Sequence, residues 1–209
     1  MKNVCLCFVF ILISVPVNLF AQSSKSKDNY TYQVREESGD LNNDGKMDKI
    51  TVKMDTLDET RPLRLQIFLS ESSGKLSLAV SSTKIIEPQY PLENNGKFTG
   101  HQIPSFFIEE GILKMWSEIK GGNITYDFKY KNGNFELIHV NTLTNNATEG
   151  YIDEETVFTE TEFDLVTGIR TETDEISGSA NALNVRKKRV LIRPLPKIQD
   201  VRFSDKKLY

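Results

Sequence analysis

"ILKMWSEIKGGNITYDFKYKNGNFELIHV", Ile112 to Val140, decides the fold. Three runs lie in it, Ile112–Ile119, Ile124–Tyr130 and Phe135–Val140, and each alternates apolar and polar residues. A period of two puts successive side chains on opposite faces, so each run reads as a strand with one buried and one wet face. Lys120-Gly121-Gly122-Asn123 separates the first pair and Lys131-Asn132-Gly133-Asn134 the second. Asn-Gly suits a type I′ turn, in which both central residues need positive φ. The stretch is a three-stranded antiparallel meander.

The same pattern extends outward. "NYTYQVRE" alternates Tyr30, Tyr32 and Val34; "KITVKM" alternates Ile50, Val52 and Met54. "LRLQIFLS" carries Leu63, Leu65, Ile67 and Leu69, and "KLSLAV" carries Leu76, Leu78 and Val80, with Glu71-Ser72-Ser73-Gly74 as a hairpin turn between them. "TVFTETEFDL" and "IRTETDEI" flank Val166-Thr167-Gly168 as one more hairpin, with Val157, Phe163, Leu165 and Ile169 available for packing. No segment carries a helical stripe of useful length; "FFIEEG" and the stretch near Asp58 are too short. The class is mainly β: antiparallel meanders and hairpins, sandwich- or barrel-like, in a single domain over 30–178. Residues 179–209 carry Pro194 and Pro196 and read as an extended C-terminal tail or edge strand.

The N-terminus reads as an export signal over 1–21. Lys2 precedes the apolar core "VCLCFVFILISVPVNLFA", and Leu19 and Ala21 sit at the -3 and -1 positions of a cleavage before Gln22. The apolar run ends near Val17, short of the ~20 residues of a spanning helix, so no transmembrane span is expected in the mature chain; an uncleaved anchor is the minor reading. Residues 22–29 form a polar leader. Cys5 and Cys7, the only cysteines, both lie in the signal. A mature chain of about 190 residues buries a sizeable core without disulfides. The expected location is secreted or periplasmic.

There are 26 Lys+Arg against 29 Asp+Glu, a net charge of -3, which argues against a nucleic-acid binder. The charge is uneven: Ile152 to Glu175 is strongly acidic and Asn184 to Lys207 strongly basic. Such blocks most simply pair with each other or are solvated separately; the sharper reading is a basic tail on an anionic polymer or membrane.

"GDLNNDGKMDKITV", Gly39 to Val52, is the candidate site. Calcium takes 6–8 hard oxygen ligands, and a loop can supply most of them from alternate residues. Counting Asp40 as position 1, Asn42 is position 3, Asp44 position 5, Gly45 the sharp turn at 6, Lys46 a backbone carbonyl at 7 with its side chain in solvent, and Asp48 position 9. Thr51 stands where an EF-hand has its bidentate Glu, and strands rather than helices flank the loop. The bland alternative is an Asx-rich turn without metal. The stretch resembles the single calcium loops of FG-GAP and VCBS-type repeats, in which "GD-x-(N/D)-x-DG-x-x-D" runs into a strand. The resemblance covers about 15 residues and implies Asp40, Asn42, Asp44, Lys46 and Asp48 as ligands of a modest-affinity structural Ca²⁺. A multi-blade propeller is disfavoured, since only one copy occurs. The chain also resembles a type of small exported bacterial protein that adds a later "Y-x-F-x-Y-x-N-G-x-F-x-L-I" hairpin, matched by Tyr126, Phe128, Tyr130, Asn132, Gly133, Phe135, Leu137 and Ile138. That likeness implies no activity.

Catalytic patterns are sparse. His101 lies in a loop and His139 on a strand, neither with a ligand-spaced partner. No G-x-S-x-G occurs, and no mature cysteine is available. An acid pair such as Glu109 with Glu118 or Asp127 is conceivable but not placeable from sequence. Trp116, Tyr126, Phe128 and Tyr130 form either a core face or a ligand platform. The expected function is a non-catalytic binding or interaction module of the bacterial cell envelope, meeting an envelope protein or glycan. The alternative is a secreted hydrolase with a carboxylate-based site.

Overall fold

The computed structural model describes residues 28–147, 151–179 and 181–203. The expected export signal over 1–21, residues 22–27 of the expected leader and the last six residues of the basic segment lie outside the described residues. Among the described residues no helix is long and apolar enough to cross a membrane.

The chain folds into two antiparallel sheets that do not close into a barrel. The first contains β1 (Tyr30–Gly39), β2 (Asp48–Asp55), β3 (Leu63–Ser70) and β4 (Leu76–Ser82), in that order. The second contains β5 (Ser105–Glu109), β6 (Ile112–Ile119), β7 (Gly122–Lys131), β8 (Asn134–Asn145), β9 (Val157–Asp164), β10 (Ile169–Ile176) and β11 (Ala182–Arg189). Within each sheet every strand pairs with its sequence neighbour, so both sheets are plain meanders. The β7–β8 turn has Asn132 at φ 50° and Gly133 at φ 78°, the double positive φ that the Asn-Gly pair calls for.

One apolar cluster joins the sheets, an arrangement compatible with a sandwich. Ile50, Val52, Leu63, Leu65 and Ile67 come from the smaller sheet; Leu113, Met115, Tyr126, Phe128, Phe135, Leu137, Val140 and Phe163 come from the larger. Across the larger sheet, Phe106, Met115, Tyr126, Val140 and Phe163 stand opposite one another as a buried row.

Bulges move several side chains away from where simple alternation puts them. Phe128 faces Leu137 while Asp127 faces His139, so Ile138 is an extra residue. The shift turns His139 to the face away from the core and Val140 inward. In β4 the register slips between Ile67 and Phe68, with Ala79 extra. Val80 is buried, whereas Leu76 and Leu78 are exposed, unlike the shared face read from the sequence. Two irregularities interrupt β1, and Tyr32, opposite the buried Met54 on this outer strand, is exposed.

The acidic and basic blocks do pair. β10 and β11 lie side by side, and Arg186 bridges Glu172 at 2.7 Å and Asp174 at 2.6 Å. Beyond β11 the chain stays extended but not loose. Leu137 donates its amide to the Pro196 carbonyl and Ile198 donates to Phe135, where β9 has already ended. Ile198 and Val201 are buried, and Phe203 donates to the Lys84 carbonyl, so the segment runs from the larger sheet to the loop after β4.

Candidate functional site

The acidic loop joins β1 to β2 at one end of the smaller sheet. Its polar side chains fold back on the loop's own amides. The two Asp40 carboxylate oxygens accept the N–H groups of Asp44 (3.1 Å) and Gly45 (2.8 Å), and Asn42 Oδ1 also accepts from Asp44 (3.1 Å). Asp44 Oδ1 accepts from the Lys46 amide at 3.0 Å. Gly45 has φ +81° and Asn43 φ 58°, so the sharp turn assigned to Gly45 is present.

Two features go beyond the sequence reading. The Lys46 side chain stays at the surface but does not extend freely into solvent. Its Nζ lies 3.0 Å from Asp44 Oδ2, because the tight turn brings opposite charges two residues apart together. That contact holds the Asp44 carboxyl below the usual carboxylate range, against an opposing effect of desolvation. Asp48, expected at position 9, has a further role that the spacing does not give. It is buried, with Oδ2 accepting the Leu41 amide (2.9 Å) and Oδ1 the Ser70 amide (2.8 Å). Asp48 thus ties the end of β1 to the start of β2 and the end of β3.

Leu41 and Ser70 are parts of the site that acid spacing does not reveal. Leu41 is fully buried between polar neighbours and plugs the loop into the core. Leu41 and Met47 are the loop's two apolar residues, and nothing local in the sequence says that Leu41 is the buried one. Ser70 is distant in sequence, and its Oγ also donates to the Met47 carbonyl. The loop is also wedged against the other sheet. A Cβ on Gly39 would stand 2.8 Å from the Ile108 side chain, and one on Gly111, at φ +74°, would stand 2.5 Å from the Asn43 amide group. The two glycines allow the β1 end and the β5–β6 turn to meet.

The donors suit a hard cation in chemistry. A carboxylate or amide oxygen that accepts one N–H keeps a second lone pair, so Asp40, Asn42 and Asp44 retain acceptor capacity. Their convergence is incomplete. Among the described residues no three His, Cys, Asp or Glu side chains gather closely enough to hold a metal ion. Thr51 pairs with Glu36 and Gln66 inside the sheet, so the chain has entered β2 before any position-12 ligand could return.

The other candidates separate. Glu109 faces Ile112 and Glu118 lies six residues further along β6, about 20 Å away at ~3.3 Å per residue. Asp127 stands at least ~12 Å from either by the same spacings. At the backbone these pairs are all wider apart than the ~5–9.5 Å that separates the carboxyl groups of a glycosidase pair. Asp127 instead pairs with Lys114 at 3.1 Å and faces His139 Nδ1 at 3.7 Å. Tyr126 and Phe128 are buried with ring centroids 6.4 Å apart, and the Tyr130 ring lies 5.0 Å from that of Phe135. They belong to the core face. Trp116, opposite Thr125, has the other parity and leaves that cluster. A cleft of about 490 Å³ holds Glu87 and Glu93 among Ile86, Pro88, Pro91 and Phe203.

Compared with known proteins, the chain matches no protein-family model, no curated protein and no solved structure. A functional reading rests on the geometry above.

Proposed function

We infer that this is an exported calcium-binding β-domain protein, a non-catalytic binding or interaction module of the bacterial cell envelope, secreted or periplasmic. The observation that carries the calcium reading is the loop's division of labour. Asp48 holds the Leu41 and Ser70 amides with one lone pair of each oxygen, while Asp40, Asn42 and Asp44 line a turn opened by Gly45. Calcium would draw on those three side chains and the Lys46 carbonyl, with Asp48 completing the set directly or through a water. It would displace the Lys46 ammonium from Asp44. The role is structural, because the loop touches both sheets.

Calcium-dependent melting tests this reading. With a Kd of about 10⁻⁴–10⁻³ M, 10 mM calcium stabilises by about 1.4–2.7 kcal/mol. For a domain this size that is a rise in Tm of about 3–10 °C. No rise, with no change on Asp44→Ala, refutes it.

The alternative, a secreted hydrolase with a carboxylate-based site, draws on the cleft that holds Glu87 and Glu93. It requires turnover of a glycan or ester panel that is lost in both Glu87→Gln and Glu93→Gln.

A further inference from the structure

β11 is the outer strand of the larger sheet, and all its residues are exposed. Pairing with β10 uses half of its backbone groups. The remaining N–H and C=O groups point outward with no strand beside them among the described residues. Such an edge is a template for one more strand.

Its charges choose the partner. Arg186 is held by Glu172 and Asp174. Lys187, Lys188 and Arg189 make no ion pair among the described residues. Lys187 and Arg189 stand opposite Thr171 and Ile169 on the face away from the core; Lys188 stands opposite Arg170 on the other face. A flat anionic surface meets one face of a strand only. A strand laid along the edge meets both. A second copy of β11 is a less apt occupant, because Ala182–Arg189 contains no acid to set against these cations. Val185, exposed and on the same face as Lys187, adds an apolar position beside the cations.

We propose that β11 is the docking edge for an extended acidic peptide segment of another protein, added antiparallel as a further strand. Its acids lie opposite Lys187, Lys188 and Arg189, and an apolar residue lies opposite Val185. The proposal deepens the reading of the domain as an interaction module and rests on it. The basic edge attracts an acidic strand and offers its own copy no acid in return.

The test uses the full mature chain and a fluorescent peptide of three Glu followed by Thr-Val-Thr-Val-Thr. Anisotropy should show saturable binding, and hydrogen exchange should show new protection at 182–189. The triple variant Lys187→Glu/Lys188→Glu/Arg189→Glu leaves the Arg186 bridges intact and should weaken binding about tenfold or more. Proline at alternate peptide positions should abolish binding, since it removes main-chain donors. Equal binding of the proline peptide, equal binding by the triple variant, or preferential binding of anionic vesicles or nucleic acid overturns the proposal. So does self-association through β11. An envelope partner captured equally by wild type and triple variant refutes the edge while leaving the interaction-module reading standing.

Discussion

Replacing Asp48 by alanine should destabilise the protein even when calcium is absent. The carboxylate accepts two backbone amides, at 2.9 Å from Leu41 and 2.8 Å from Ser70. Alanine leaves both donors without a partner. A buried unsatisfied donor costs about 1–3 kcal/mol, and the half-buried Ser70 amide falls at the low end, so the loss is about 2–5 kcal/mol. Against a total of about 5–15 kcal/mol this is a large fraction. Urea unfolding with a chelator present measures it. For a slope of about 2 kcal/mol/M the midpoint drops by about 1–2.5 M. Asp48→Asn keeps one acceptor oxygen but sets an amide NH₂ against the other donor, so it should recover only part of the loss. Asp44→Ala should leave the calcium-free midpoint almost unchanged, since its carboxylate is exposed and bonded only within the loop. A drop below ~0.3 M for Asp48→Ala, or an equal drop for Asp44→Ala, refutes the assignment of Asp48 as the tie between strands.

Two further outcomes follow from the same contacts. Lys46→Met removes the cation that competes for Asp44 and should tighten calcium about 1.5- to 5-fold, the span of an exposed ion pair, as read by titration. Acid should loosen the β10–β11 pairing first. Arg186, and then Thr159, hydrogen-bond the Asp174 carboxylate and lower its pKa. A depressed carboxylate pKa contributes stability that is present above the unfolded value of ~3.9 and lost as pH falls through the folded value. Exchange protection of β11 should therefore fall below about pH 4 before that of β7 and β8.

Most of the strand plan was legible because alternation is a local signal. Ile112–Val140 gave its three strands and its Asn-Gly turn directly. Alternation failed where a bulge inserts one residue: Ile138 displaces His139 from the apolar face, and Ala79 leaves Leu76 and Leu78 outside. Nothing in either short segment announces a slip that its partner strand sets. In the loop, the spacing of Asp40, Asn42, Asp44 and Gly45 gave the turn. It did not give the roles of Asp48 and Lys46. Those depend on Ser70, which lies 22 residues away, and on where the turn points the Lys46 side chain. The basic segment's pairing with β10 was legible from opposite charge blocks, whereas the burial of Ile198 and Val201 was not, because the prolines there read as a surface path.

Calorimetric titration of the mature chain with calcium, beside the double variant Asp40→Ala/Asp44→Ala, tests the calcium loop most directly. One site per chain with a Kd of about 10⁻⁴–10⁻³ M, absent from the double variant, is the expected result. No heat in the wild type, or the same isotherm in both proteins, would show that the loop is an Asx turn closed by its own amides and by Lys46.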